Sequence, residues 1–69
     1  MDKKLLVKFE KERARVKINL KNGLFYTGFI ILLEEGSLLF KDKFGQEIPI
    51  DLDSISYVVP VKNGYKNGR

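Results

Sequence analysis

Hydrophobic and polar residues alternate most clearly just before Asn22-Gly23. Val16, Ile18 and Leu20 would point to one side of a strand, and the polar residues between them to the other, as in a strand with one buried face. Asn22 and Gly23 both tolerate positive φ, which a tight hairpin turn requires. The pattern predicts a strand, a turn at Leu20-Lys21-Asn22-Gly23 and a second strand.

The predicted second strand, from about Leu24 to Leu33, is apolar on both faces. Both faces therefore need cover, one from the barrel core and the other from a helix or a neighbouring subunit. Gly28 is where we expect such a strand to bend between two layers. Alternation would place Tyr26, Gly28, Ile30 and Leu32 on one side, and Phe25, Phe29, Ile31 and Leu33 on the other.

Turn residues divide the rest of the chain into three shorter strands. The expected strands run from Ser37 to Lys41, from Gln46 to Ile50 and from Ile55 to Val59. Pro49 cannot donate a ladder hydrogen bond, so it should lie at a sheet edge or beside a bulge. Five short strands joined by tight turns predict a small barrel better than a sandwich.

The segment from about residue 2 to residue 12 favours a helix. Asp2 can cap it, and Leu5, Leu6 and Phe9 then share one face. Alternation of Leu5, Val7 and Phe9 leaves a strand as the alternative, but the charged residues that follow are poor strand material. We therefore expect one mainly β domain over residues 1–61, a five-stranded, strongly bent barrel with an N-terminal helix, and a flexible basic tail over 62–69.

Composition limits the chemistry that the chain can perform. Its 69 residues contain no cysteine and no histidine, so disulfides, thiolate nucleophiles and the commonest general base are absent. A domain this small usually needs added support, which leaves assembly with other subunits. We expect no catalytic residue, no metal and no cofactor, since the turn acids Asp51 and Asp53 define neither an active site nor a metal site.

Charge and hydropathy narrow the possible partners. The net charge is +4, but residues 13–60 carry six basic and six acidic groups, so the excess lies at the two ends of the chain. The longest apolar run, Phe29 to Leu33, is too short to span a bilayer, and Met1 to Phe9 is too charged for a secretory signal. A cytoplasmic protein with no membrane partner is expected.

Several of these residues match the pattern of a known family. Val16, Ile18, Leu20, Asn22, Gly23, Tyr26, Gly28 and Ile30 stand where that family has Val-x-Val-x-Leu-x-Asn-Gly-x-x-Tyr-x-Gly-x-Leu. Leu6 and Phe9 match its helix positions. Over roughly residues 5–60 the chain thus resembles the Sm and Sm-like (LSm) proteins, small barrels that form rings on RNA. The resemblance implies a cyclic homo-oligomer with single-stranded RNA as a partner.

The RNA-binding part of the family pattern is not kept. Where the family has Asp-x-x-Met-Asn, this chain has Glu34-Glu35-Gly36-Ser37, and the family's Arg-Gly before the last strand is Asp53-Ser54 here. Acidic groups repel phosphate, so this departure from the family pattern implies that the usual uridine pocket is absent. Candidate RNA-binding residues are therefore Lys3, Lys4, Lys8, Gly36, Ser37, Asp53, Ser54, Lys62, Lys66 and Arg69, with Phe44 or Tyr65 as possible stacking platforms.

In Sm-like rings the fourth strand of one subunit pairs with the fifth strand of the next. The resemblance therefore implies an oligomer interface at Ile48, Ile50, Ser56, Tyr57, Val58 and Val59. The alternative for Ile48 and Ile55 is an ordinary place in the barrel core. The sequence favours a non-enzymatic ring that binds RNA in a non-standard way, with a protein-assembly module that lacks the uridine pocket as the alternative.

Overall fold

The computed structural model describes residues 3–61, which form one helix followed by five strands. The elements are α1 (Lys3–Glu12), β1 (Val16–Leu20), β2 (Phe25–Leu33), β3 (Ser37–Asp42), β4 (Glu47–Asp51) and β5 (Ile55–Pro60). A 3-10 helix at Leu52–Ser54 connects β4 to β5. The strand bounds agree with the predicted ones to within one residue, and the Asp2 cap and the tail lie outside the described residues.

All five strands belong to one antiparallel sheet in the order β4-β3-β2-β1-β5. The sheet wraps around a core to which every strand and α1 contribute: Leu6, Phe9, Val16, Ile18, Ile30, Leu38, Phe40, Ile50, Ile55 and Val58. The predicted mainly β, five-stranded fold with an N-terminal helix is confirmed. Pro49 lies on β4, which is an edge strand, as predicted.

The β1–β2 turn differs from the predicted one. The Leu20 amide donates to the Leu24 carbonyl over 2.8 Å, so the loop between them has three residues, Lys21-Asn22-Gly23. Gly23 has a φ of 93°, whereas Asn22 is not in the left-handed region. The side-chain oxygen of Asn22 instead accepts a 3.0 Å hydrogen bond from the Leu24 amide. The expectation of two positive φ angles was wrong, because a three-residue loop needs only one.

Strand β2 changes faces near its end. Its pairing with β3 shifts register between Ile30 and Leu32, as a β-bulge does. Ile30 is buried, Leu32 is 47% exposed, and Leu33 packs against the core. The predicted alternation was therefore correct up to Ile30 and wrong for the last two residues. The register shift lies here rather than at Gly28, whose pairing with β3 is regular.

Helix α1 packs against β2 through both apolar and polar contacts. Leu6 and Phe9 are buried as predicted, but Leu5 is 39% exposed and does not join the core. The Leu33 amide donates a 3.0 Å hydrogen bond to Oε2 of Glu10. The bulge that turns Leu33 inward thus has its amide satisfied by the helix, which ties α1 to the irregular end of β2.

Replacing Glu10 with alanine should lower the free energy of unfolding by about 1–2 kcal/mol, because the half-buried Leu33 amide would lose its acceptor. Glu10→Gln keeps an acceptor oxygen and should lose less than half as much. Glu12→Ala, on an exposed helix position, is the matched control. Urea denaturation measures all three, and an equal loss in Glu12→Ala would show that removing any carboxylate from the helix, not losing this hydrogen bond, is responsible.

Candidate nucleic-acid interface

Three turns of the barrel are joined to one another by backbone hydrogen bonds. The Lys21 amide donates to the Ser54 carbonyl over 2.9 Å, and the Leu52 amide donates to the Gly36 carbonyl over 3.1 Å. The 3-10 helix between β4 and β5 is therefore attached to the β1–β2 turn on one side and to the β2–β3 turn on the other. The three turns form one continuous surface where the two edges of the sheet are connected.

A cavity of about 430 Å³ lies in this surface, within the range of small-ligand sites, roughly 300–1,000 Å³. Its lining comes from α1 and all three turns: Lys3, Lys21, Glu35, Gly36, Leu52, Asp53, Ile55 and Ser56. Ile55 is buried and Leu52 half-buried, whereas the charged residues are exposed. The cavity thus combines an apolar part with a charged rim. This combination suits a ligand that has a flat aromatic ring with polar groups at its edge.

Both signs of charge line the cavity. The Lys3 ammonium donates a 3.1 Å hydrogen bond to the Glu35 carbonyl oxygen, which holds it beside the β2–β3 turn. Within residues 3–61, no hydrogen bond or ion pair engages the Lys21 ammonium or the Asp53 carboxylate. Both residues line the cavity, and the backbone amide of Lys21 is bonded to the carbonyl of Ser54, the residue after Asp53. Besides the charges of Lys3 and Glu35, the cavity therefore offers a ligand the Lys21 ammonium and the Asp53 carboxylate.

Three of the residues predicted to bind RNA meet in this cavity, namely Lys3, Gly36 and Asp53. The two predicted serines are next to it, and each hydroxyl is used within its own turn. Ser54 donates to the Asp51 carbonyl over 2.7 Å, and Ser37 donates to a Glu34 carboxylate oxygen over 3.5 Å. These serines therefore shape the turns, and their assignment to RNA stays a prediction.

The remaining predicted RNA-binding residues are not in the cavity. Lys4 and Lys8 are exposed on α1 and do not line it. The basic residues Lys62, Lys66 and Arg69, and the aromatic Tyr65, lie outside the described residues. Their part in binding stays a prediction.

Sequence reasoning missed Lys21, Glu35, Leu52 and Ile55 as cavity residues, and it assigned Ser56 to the oligomer interface instead. Lys21 matters most among them, because the sequence suggested that acidic groups alone would occupy this region. Lys21 could have been identified from the order of strands in the sheet, in which β1 pairs with β5. That pairing brings the residue after β1 next to the turn before β5.

The predicted interface residues lie on the two edge strands. Tyr57 and Val59 are exposed on β5, with 53% and 39% of their surfaces accessible. Ile50 and Val58, in contrast, are buried in the core of the subunit. Contrary to the prediction, these two can contribute only backbone groups to an interface. Ile48 packs partly against the core and Ile55 is buried, as the alternative prediction had it.

A second exposed surface lies on the outer side of the sheet. Asn19 pairs with Phe25 on one side and with Tyr57 on the other, so the three side chains share a face. Phe25 is 56% exposed, and the Lys17 ammonium lies 4.3 Å from its ring centroid. Within residues 3–61, the buried side-chain nitrogen of Asn19 has no hydrogen-bond partner. This surface combines aromatic, amide and cationic groups.

The candidate stacking residue Phe44 is in a different place. It lies in the β3–β4 turn with 79% of its surface exposed, and the Lys43 ammonium is 5.3 Å from its ring centroid. The turn itself is ordered, because a carboxylate oxygen of Asp42 accepts 2.9 Å hydrogen bonds from the amides of Phe44 and Gln46. Phe44 is therefore accessible for stacking, but it does not belong to the cavity.

Other kinds of site are not seen in the part of the chain that the structure describes. No group of three or more aspartate or glutamate side chains within residues 3–61 could hold a metal ion. Over the same range, no helix is long and apolar enough to cross a membrane.

Comparisons with known proteins identify the fold. No protein-family model and no curated protein matches the sequence. A crystal structure of the pleiotropic translational regulator Hfq matches with a TM-score of 0.75 and 21% identity, over 81% of this chain and 92% of that one. The Hfq protein from Anabaena sp. matches with a TM-score of 0.72 and 24% identity, over 84% and 92%. The chain has the Sm-like fold of the Hfq proteins, as the resemblance predicted.

Proposed function

We propose that this chain is a non-enzymatic Sm-like module that binds single-stranded RNA as a ring of identical subunits. The observation that supports this most is the cavity at which Lys3 and Lys21 meet. Ammonium groups bind phosphates, and the half-buried side chain of Leu52 offers an apolar surface to a base. The fold is shared with a translational regulator, a function for which RNA is a natural ligand.

Binding in this proposal is non-standard because the cation comes from a different turn. In the Sm-like pattern a basic residue precedes the last strand, where this chain has Asp53-Ser54. Lys21 lines the same region from the β1–β2 turn, and its backbone amide joins that turn to Ser54. A positive charge is thus available to a nucleotide even though the usual position for it is acidic.

The two edge strands support the ring. At the two ends of β4, the Asp42 amide donates to the Gln46 carbonyl and the Leu52 amide donates to the Gly36 carbonyl. Backbone nitrogens along a strand point alternately towards its two neighbours, so those of Glu47, Pro49 and Asp51 face the free edge. On β5, the Val61 amide donates to the Arg15 carbonyl and so faces β1. By the same alternation, the Val58 amide faces the free edge of β5. Pairing β4 of one subunit with β5 of the next satisfies these groups, and repeated head-to-tail contacts can close a ring.

RNA binding is tested with fluorescently labelled uridine-rich and adenine-rich strands over a salt series. The double variant Lys3→Gln/Lys21→Gln should bind about tenfold more weakly or worse, because two phosphate-binding charges are lost. Each lost contact should also reduce the slope of log affinity against log salt by about 0.7. Fluorescence anisotropy measures both quantities.

The control is Lys41→Gln/Lys43→Gln, which also removes two positive charges, from exposed residues that do not line the cavity. It should bind nearly as the unmodified chain does. An equal loss in the control would mean that overall charge, not the cavity, governs binding. Absence of binding to every strand at low salt would contradict the proposed function.

An assembly or protein-interaction module is the second candidate. The exposed Tyr57 and Val59 on the open β5 edge favour it, since an edge strand can accept a strand from another protein. Backbone hydrogen bonds and apolar contacts depend little on ionic strength, whereas lysine-phosphate contacts weaken steeply with salt. A chain that forms rings but ignores RNA at low salt would support this function.

A further inference from the structure

The cavity presents hydrogen-bonding groups of both kinds to a ligand. Lys21 can only donate and the carboxylate of Asp53 can only accept, and within the described residues neither side chain has a partner. We propose that this cavity selects guanine among the bases of single-stranded RNA. The inference rests on the RNA binding proposed above, and it names the base that the site takes.

Guanine matches a carboxylate beside an ammonium. Its Watson–Crick edge carries two adjacent donors, the N1–H and the N2 amino group, which a carboxylate can accept in a bidentate arrangement. Next to them are the acceptors O6 and N7, which are the atoms that lysine recognises in guanine. Asp53 would therefore accept from the N1 and N2 groups while Lys21 donates to O6 or N7.

Uracil fits the same groups poorly. It has a single N–H donor, flanked by carbonyl oxygens on both sides, so a carboxylate that approaches the donor also approaches two acceptors. Adenine and cytosine each offer one amino group and lack the paired donors. The Asp53 carboxylate, which binds uracil poorly, is thus the same group that favours guanine. The departure from the Sm-like pattern becomes a change of base preference.

The surroundings suit a purine ring. Leu52 is half-buried, so it gives the cavity an apolar side chain against which the face of a base can pack. The Asp53 backbone belongs to the 3-10 helix at Leu52–Ser54, which is held by the hydrogen bonds to Gly36 and Lys21. The acceptor and the donor therefore belong to turns that are already joined by hydrogen bonds. Binding of a base should then cost little conformational entropy.

The test compares short labelled oligouridines with strands in which one uridine is replaced by guanosine, inosine or adenosine. One guanine per strand avoids guanine quadruplexes. Guanosine should raise the affinity about tenfold, as a good bidentate contact does, and inosine, which lacks the N2 amino group, should lose a large part of the gain. Adenosine should give less gain than guanosine.

Asp53→Asn should abolish the guanosine preference, because an NH2 group replaces one of the two acceptor oxygens and would face a donor of guanine. Asp51→Asn removes an equal charge from an exposed residue that does not line the cavity, and it should keep the preference. Equal affinity for all strands would overturn the guanine inference and leave RNA binding standing. A preference that survives in Asp53→Asn would also overturn it, and absence of binding to any strand would instead contradict the proposed function.

Discussion

Replacing Gly28 with alanine is expected to destabilise the subunit by roughly 3 kcal/mol, the upper part of the usual range for overpacking. A β-carbon at this position would collide with the carbonyl oxygen of Lys41 and lie 2.9 Å from the α-carbon of Asp42. Both atoms belong to the backbone of β3, so no side chain can move aside. Strands β2 and β3 would have to separate, and their pairing forms the middle of the sheet.

Gly36→Ala is the matched control for this prediction. A β-carbon there meets no atom within 4 Å, and the backbone of Gly36 does not need a positive φ. Its stability should stay within about 0.5 kcal/mol of the unmodified chain. Urea denaturation at a single protein concentration compares the three chains, because assembly makes stability depend on concentration. Equal midpoints for the two variants would show that β3 yields at Gly28 without cost.

If the chain assembles into the proposed ring, replacing Tyr57 with glutamate is expected to convert it to monomers of 8.0 kDa at micromolar concentration. Tyr57 is half exposed on the free edge of β5, where β4 of the next subunit would cover it. A carboxylate there would be buried without a partner, which costs several kcal/mol. It would also face β4, whose exposed Glu47 and Asp51 are acidic.

Leu24→Glu provides the comparison for the edge. Leu24 is 58% exposed but lies beside the β1–β2 turn, away from the edge strands, so this variant should keep the mass of the unmodified oligomer. Light scattering measures the masses. The monomeric variant should also bind long RNA about a hundredfold more weakly, because separate subunits lose the advantage of several linked sites. An unmodified chain that is itself a monomer would refute the ring.

Much of the fold could be predicted because local signals agree with one another. The alternation of Val16, Ile18 and Leu20 requires a strand with one buried face, and Gly23 supplies the positive φ that the following turn uses. Leu6 and Phe9 are spaced as a helix with one buried face requires, and both are buried. In each case a single period or a single backbone requirement determines the local structure.

The end of β2 could not be predicted by the same reasoning. Residues 30–33 are all apolar, so alternation gives no reason to prefer one face over the other for any of them. At the bulge that exposes Leu32 and turns Leu33 inward, the carboxylate of Glu10 on α1 accepts a hydrogen bond from the Leu33 amide. A contact between residues so far apart in the sequence leaves no trace in the local pattern.

The candidate site was only partly predictable for a similar reason. Gly36 and Asp53 were found because they stand where the Sm-like pattern carries its RNA-binding residues. Lys21 was read only as part of a hairpin turn, and its second role depends on the hydrogen bond to Ser54. Counting charge along residues 13–60 gives neutrality, whereas the fold gathers particular charges from distant turns at one cavity.

The prolines of the two edge strands also bear on aggregation. Pro49 lies on β4 and Pro60 ends β5, and neither residue has an amide hydrogen to offer to an incoming strand. Each edge is also short, with five residues in β4 and six in β5. A long run of regular strand pairing cannot be templated on such edges. The edge strands that suit the proposed subunit contact therefore also limit the growth of fibres from a single subunit.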